Sequence, residues 1–203
     1  MRMHDFVERL NFSRHIDSDM EEFLNYLVEI IPGANGWRRA TEDEDKSGVD
    51  YWILRDYGLP PLAIDVKHRE FDPIERFGSD DICIETTSIY VGPGKPPWED
   101  AYRKKVGWTL DAARRTDLIV YTWPLPNGRH GRRFWVVYFP FLCHVALKYW
   151  RYWAATYGER IVYNKEYKTL CIFVPRSEVE EAIRQCCGGI FTPAQSENNL
   201  TLW

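Results

Sequence analysis

Three charged residues stand in stretches that are otherwise apolar. LAIDVKHRE, residues 62–70, puts Asp65 and Lys67 two apart in what reads as a buried strand, and GVD at 48–50 puts Asp50 at the start of the strand before it. Side chains alternate along a strand, so Asp65 and Lys67 share a face. If Tyr57-Gly58 is the tight loop between the strands, residues 56 and 59 pair. Paired numbers then sum to 115 and Asp50 falls opposite Asp65, although the prolines at 60 and 61 allow another register. Two carboxylates that close repel each other, and burying them is costly without a bridging cation. Lys67 is one such cation, which would make the group a structural ion pair. A divalent metal is another. Mg²⁺ takes oxygen ligands and is usually held by one or two carboxylates together with substrate phosphates. It activates water and neutralises charge on a phosphodiester, and Lys67 would then orient or deprotonate the water or stabilise the developing charge.

The elements that would position these residues follow from periodicity. SDMEEFLNYLVEIIPG carries Met20, Phe23, Leu24, Leu27, Ile30 and Ile31 at helical spacing. Ser18 and Glu21 fit a capping box, and Pro32-Gly33 ends the helix. TEDEDKSG (41–48) reads as a loop, and VDYWILRD (49–56) and PLAIDVKHR (61–69) as strands. Residues 71–80 read as loop, DICIETTSIYV (81–91) as a third extended segment, and VGPGKPPWED (91–100) as an irregular loop. YRKKVGWTLDAARR (102–115) reads as a helix. DLIVYTWP (117–124) is a wholly apolar strand, central and covered on both faces. PNGRHG reads as a turn to RRFWVVYFP (132–140). An aromatic helix, 141–158, strands at IVYN and 170–175, a helix at 176–185 and a tail complete the chain. Helices and strands are mixed, so the fold class is α/β or α+β with a mixed central sheet flanked by helices.

GVD, a hairpin and then IDVK (64–67), followed by GWTLDAARRTDLIVYTW (107–123), resembles the PD-(D/E)xK nuclease superfamily in its phage-type and restriction-endonuclease-like members. The similarity covers about residues 18–124. It implies a core of a helix, three strands, a helix and a strand, with helix 102–115 and strand 117–124 as the last two. It implies Asp50 and Asp65 as metal ligands, Lys67 as the catalytic lysine, and Mg²⁺ as the cofactor, with Mn²⁺ able to substitute. Proline is absent before Asp50, and the middle acid is Asp rather than Glu. Glu85, in CIETTS, is a candidate third ligand; an edge-strand surface carboxylate is the alternative. Glu21 is better explained by the capping box, Glu22 and Glu29 point away from the apolar face, and His68 faces away from Lys67. Lys105, with Arg103 and Lys104, is a candidate for phosphate contact, with a solvated face as the alternative.

The 203 residues suit a single domain, 1–203. The nuclease-like core would span about 18–140, with a C-terminal aromatic helix and α/β elaboration at about 141–203. The composition, 45% hydrophobic and 28% charged, is that of a soluble globular protein. No apolar run approaches a membrane span. The N-terminus, MRMHDFVERLNF, is charged throughout without an apolar signal region, which points to a cytoplasmic protein. Five cysteines without a CxxC suggest reduced thiols, and the five scattered histidines exclude a zinc pattern. Net charge is −4, which argues against a general DNA-coating protein. Basic clusters at 103–105, 114–115 and 129–133 provide local patches. The expected partner is nucleic acid, DNA first, and a homodimer would let two sites cut two strands. Two other readings stay open. One is a catalytically inactive module on the same fold that binds nucleic acid or protein, with Asp65 and Lys67 as an ion pair. The other is an unrelated α/β protein.

Overall fold

The computed structural model describes residues 18–69, 71–90, 103–125, 132–163, 167–188 and 201–202. The readings made on the N-terminal stretch, the 91–100 loop, the PNGRHG turn and most of the tail lie outside these residues. The chain is divided into two compact units. Residues 1–70, 115–135 and 196–200 form one, and residues 71–114, 136–195 and 201–203 form the other.

The first unit is built on a mixed sheet. Helix α1 spans residues 18–30 and buries Met20, Phe23, Leu24 and Leu27, while Glu21, Glu22 and Glu29 stay exposed. Each of those apolar side chains contributes roughly 1.5–3 kcal/mol by leaving water. Strand β1 (Ala34–Arg39) follows, then a short helix α2 (Glu42–Lys46), β2 (Tyr51–Arg55) and β3 (Leu62–His68). After a long excursion the chain returns as β6 (Leu118–Pro124) and β7 (Arg132–Tyr138). The strand order is β1-β2-β3-β6-β7. β1 and β2 are antiparallel, as are β2 and β3, whereas β6 runs parallel to β3. Strand β6 is central as expected, with Ile119, Val120, Tyr121 and Trp123 wholly buried.

The second unit contains α3 (Pro73–Phe77) and an antiparallel sheet of order β5-β4-β9-β8. Its strands are β4 (Asp81–Tyr90), β5 (Arg103–Val106), β8 (Glu159–Tyr163) and β9 (Tyr167–Pro175). Helices α4 (Phe139–Tyr157) and α5 (Arg176–Cys187) pack on one another and on β9. Ile82, Ile84, Leu142, Val145, Ile172, Val174 and Val179 make its core.

Four expectations need correction. Among the described residues of 102–115 there is no α-helix: Arg103–Val106 is a strand, and only Trp108–Leu110 makes a 3₁₀ turn. The cause is pairing with β4. The Gly107 amide donates to the Thr86 carbonyl at 3.0 Å, and a Cβ on Gly107 would stand 2.2 Å from the Glu85 carbonyl oxygen. The extended segment at 81–90 belongs to the second sheet, so the strand that completes the antiparallel trio beside β2 and β3 is β1. The acidic run 41–48 contains a helical turn, set by Thr41 and Glu44 in a reciprocal capping box. Residues 73–77, read as loop, are helix α3, entered through an Asp72 cap and closed by Gly78 at a φ of 74°.

Candidate functional site

The β2–β3 hairpin is set by its turn. Tyr57 and Gly58 both have positive φ, 60° and 70°, and the Leu59 amide donates to the Asp56 carbonyl at 3.2 Å. Such a pair of left-handed residues matches the twist of two antiparallel strands. Ile53 then pairs with Leu62, Trp52 with Ala63 and Tyr51 with Ile64. That is the register in which paired numbers sum to 115, and it carries Asp50 to the position opposite Asp65.

Asp50 is where the ladder stops. Its amide donates to the Ile64 carbonyl at 2.7 Å, and its own carbonyl accepts from the Ala40 amide at 2.8 Å. The next donor along β3, the Val66 amide, goes to Asp50 Oδ2 at 2.6 Å. A side-chain oxygen thus replaces a backbone one, which pins the Asp50 carboxyl against β3. Asp65 is only 3% exposed, and its Oδ1 accepts from Lys67 Nζ at 2.7 Å. The Lys67 side chain is about a quarter exposed, at 26%, so the group is open on the ammonium side.

The electrostatics follow from this packing. Burial pushes the Asp50 carboxyl up to about 6, and the neighbouring Asp65 charge pushes the same way, against the Val66 amide and the Lys67 ammonium. The two carboxyls are within hydrogen-bonding reach of each other. Below that pH Asp50 holds its proton, and Lys67 faces the Asp65 carboxylate. Above it, two carboxylates and one ammonium leave a formal charge of −1 in a buried place.

Asp117 and Thr116 fix the β3–β6 junction and were not singled out in the sequence. Asp117 Oδ2 accepts from the Ala63 amide at 2.8 Å, the Asp117 amide donates to the Ala63 carbonyl at 2.9 Å, and Thr116 Oγ1 donates to the Gly48 carbonyl at 2.9 Å. The Thr-Asp pair just before an apolar strand was the available signal. Position fixes the remaining geometry. Asp65 pairs with Ile119 and Lys67 with Tyr121 in the parallel ladder, so these four side chains share one face. α1 lies on the other face, where Phe23 stacks on Phe134 at 4.1 Å. Glu21 is exposed on α1.

The other expected residues lie in the second unit. Glu85 sits at a bulge of β4, where its amide donates to Thr109 Oγ1 at 3.0 Å and its carboxylate accepts from Ser88 Oγ at 2.6 Å. Lys104 and Lys105 are exposed on the strand β5, opposite Ile89 and Ser88. Arg103 begins that strand, and its side chain is outside the described part. Among the described residues no group of three or more His, Cys, Asp or Glu side chains is placed to hold a metal ion. The structure brings Asp50, Asp65 and Lys67 together in the first unit, and Glu85 lies in the second.

Among the described residues, no helix is long and apolar enough to cross a membrane. No family model matches the chain, and no curated protein matches it. Among solved structures, a nuclease from a fusselovirus is similar to it over 91% of this chain and 94% of that one, at 12% identity and a TM-score of 0.29. A likeness of that size establishes neither a shared fold nor a shared chemistry.

Proposed function

We propose that the chain is a divalent-metal-dependent nuclease that hydrolyses phosphodiester bonds of DNA. The observation that carries this reading is the pair of like-charged carboxyls, Asp50 and Asp65, held together by the hairpin register and the Val66 amide, with Lys67 on the same face. Holding two carboxylates together destabilises the fold at neutral pH, and a dication reverses that cost. The topology supports the same reading. A helix, three strands and a fourth strand beside β3 follow the order that the PD-(D/E)xK resemblance implies, with β1 as the first of the three and without the helix expected before the last strand.

The donor set suits Mg²⁺. It is oxygen only, with two carboxylates, and water and substrate phosphate complete such a shell. Mn²⁺ fits the same oxygens. Asp50 and Asp65 would hold the ion, which when bound neutralises charge on the phosphodiester and acidifies water beside it. Lys67 is bonded to Asp65 and about a quarter exposed. Its ammonium would donate to the phosphate oxygen on which charge builds during in-line attack.

Asp65→Ala is expected to abolish cleavage of DNA while cooperative thermal unfolding persists, and Lys67→Ala to lower kcat by about 10²–10³. Chelation of divalent ions is expected to stop the reaction. Wild-type rates in purified Asp65→Ala would sink the assignment. A second reading is favoured by one contact: Lys67 Nζ and Asp65 Oδ1 close on one another at 2.7 Å, as a structural ion pair does. Under it the chain is a binding module. Nucleic-acid binding in a chelator, with no turnover under any divalent ion, would select that reading.

A further inference from the structure

The cysteines divide by their surroundings. Cys83, Cys143 and Cys171 are buried. Burial pushes the Cys143 thiol up, and a hydrogen bond with Cys83, followed by burial, pushes up that of Cys171. Thiols in such places are inert. Cys186 and Cys187 are different: they are partly exposed and end helix α5.

Helices α4 and α5 pack on one another, and the contact carries two side chains of α4 onto Cys186. Lys148 Nζ donates to Cys186 Sγ at 3.2 Å, and Tyr149 Oη lies 3.7 Å from the same sulfur. The Tyr149 ring rests on buried Trp153, 5.8 Å between centres, which holds the hydroxyl in place. The Lys148 ammonium lies 5.1 Å from the centre of the Tyr149 ring, and Lys148 is exposed. Thiol, ammonium and phenol thus form one cluster that solvent reaches.

The backbone alone works against an anion here. Cys186 stands in the last turn of α5, which Gly188 closes at a φ of 77°, and the negative end of a helix disfavours a thiolate. The Tyr149 hydroxyl and the Lys148 ammonium act the other way and hold the Cys186 thiol below its ordinary range, against desolvation. Cys187 is a control built into the chain. It has the same helix end and the same partial exposure, yet burial and the Cys186 charge push its thiol up, and Lys148 opposes them through charge. The thiolate is the nucleophilic form of cysteine.

We propose that Cys186 is a reactive thiolate site that hydrogen peroxide converts to a sulfenic acid, with Lys148 and Tyr149 as the residues that hold the anion. The Cys186 sulfur attacks one peroxide oxygen, so an S–O bond forms as the O–O bond breaks. The sulfur is oxidised by two electrons and the peroxide is reduced. The departing hydroxide takes a proton from the Lys148 ammonium and leaves as water, and Lys148 regains that proton from solvent. The cluster lies in the second unit, and the assignment does not rest on the nuclease reading.

The test is labelling of the full, reduced chain with limiting iodoacetamide at about pH 6 to 10, resolved cysteine by cysteine by mass spectrometry. Near pH 7 Cys186 is expected to react about 10-fold faster than Cys187, since an ordinary thiol is only a few per cent ionised there. Lys148→Gln should slow Cys186 about 5-fold near pH 7 and leave its rate near pH 10, where thiols are ionised without help, at the wild-type value. A change in packing alone would move the rate at every pH. Lys148→Arg keeps the cation and should restore the profile. Tyr149→Phe keeps the ring on Trp153, loses the hydroxyl, and should shift the profile in the same direction as Lys148→Gln. Peroxide followed by dimedone, which captures sulfenic acids, should mark Cys186 in the wild type and in Cys187→Ser, and leave no mark in Cys186→Ser. Equal rates at Cys186 and Cys187, or a Lys148→Gln profile that superposes on wild type, overturns the assignment. So does a dimedone mark absent from the wild type or retained in Cys186→Ser.

Discussion

Two groups of carboxylates stand within a few residues of each other in the first unit and behave in opposite ways. The α2 turn places Glu42, Asp43, Glu44 and Asp45 in its first turn, exposed or half-exposed, where acidic side chains suit the helix N-terminus. Glu44 is held down at about 2 by the Arg38 guanidinium, which grips it with two hydrogen bonds, and by the Thr41 amide. A few residues on, Asp50 is pushed up to about 6, chiefly by burial. The dense run of acids thus stays an ordinary solvated turn, and the sparse pair is the one proposed to hold a metal. What separates them is solvent and partner. Four carboxylates in water with a cap and an arginine are at ease, whereas two in a buried place with one ammonium are not.

Neutralising the strained member is the largest way to break that contrast. Asp50→Asn keeps an oxygen for the Val66 amide and removes the charge. Cleavage should fall by orders of magnitude while the fold gains. The sign follows from the shift. A carboxyl raised from 3.8 to about 6 binds its proton more readily when folded, so its stability is full below 3.8 and lost as pH rises through about 6. That loss is roughly 3 kcal/mol at 1.36 kcal/mol per pH unit. Asp50→Asn should therefore unfold at a higher denaturant concentration than wild type at about pH 8 and match it near pH 4. A variant no more stable than wild type at pH 8 would mean that the Asp50 carboxylate is already balanced. The next effect is linkage to metal. If Asp50 and Asp65 hold Mg²⁺ as proposed, its uptake displaces the proton held on Asp50, so the rise in melting temperature with added Mg²⁺ should be small at about pH 5 and grow through pH 6 to 7. The Asp50→Asn protein should lose that pH dependence. An Mg²⁺ response flat in pH would separate the ion from this pair.

The hairpin was legible because two independent local rules agree on it. Period-two alternation put Asp65 and Lys67 on one face, and the Tyr57-Gly58 loop fixed the register that brings Asp50 opposite Asp65. Elements whose identity depends on distant partners were not legible. ANGWRR (34–39) carries two arginines and a glycine and shows no apolar alternation, yet β1 pairs along the whole of β2. RKKVGWTLDAARR has helical composition, but the approach of Gly107 to Glu85 and the ladder with β4 outweigh it. DICIETTSIY announced a strand, but not which sheet it joins. The β3–β6 link shows the same limit. A parallel pair needs a long crossover, and here the chain makes it through strands of the second unit, where a helix was expected. The capping box of α2 was readable as T-E-D-E at 41–44, but the acidic composition around it pointed to a loop.

The smallest effect belongs to the group at ease. Glu44→Gln removes a carboxylate that is already low, so its contribution is present above the ordinary carboxyl range and is lost only as pH falls through about 2. At neutral pH the substitution leaves an amide that still accepts from Thr41 and Arg38, in a solvated place where exposed pairs contribute little. Cleavage, the Mg²⁺ response and its pH dependence should stay at wild-type values, with a slight drop in melting temperature near neutral pH that disappears in strong acid. If Glu44→Gln instead lowered cleavage as Asp50→Asn does, the acidic run would belong to the site, and burial would no longer explain why one pair of carboxylates is chemically special and its crowded neighbours are not.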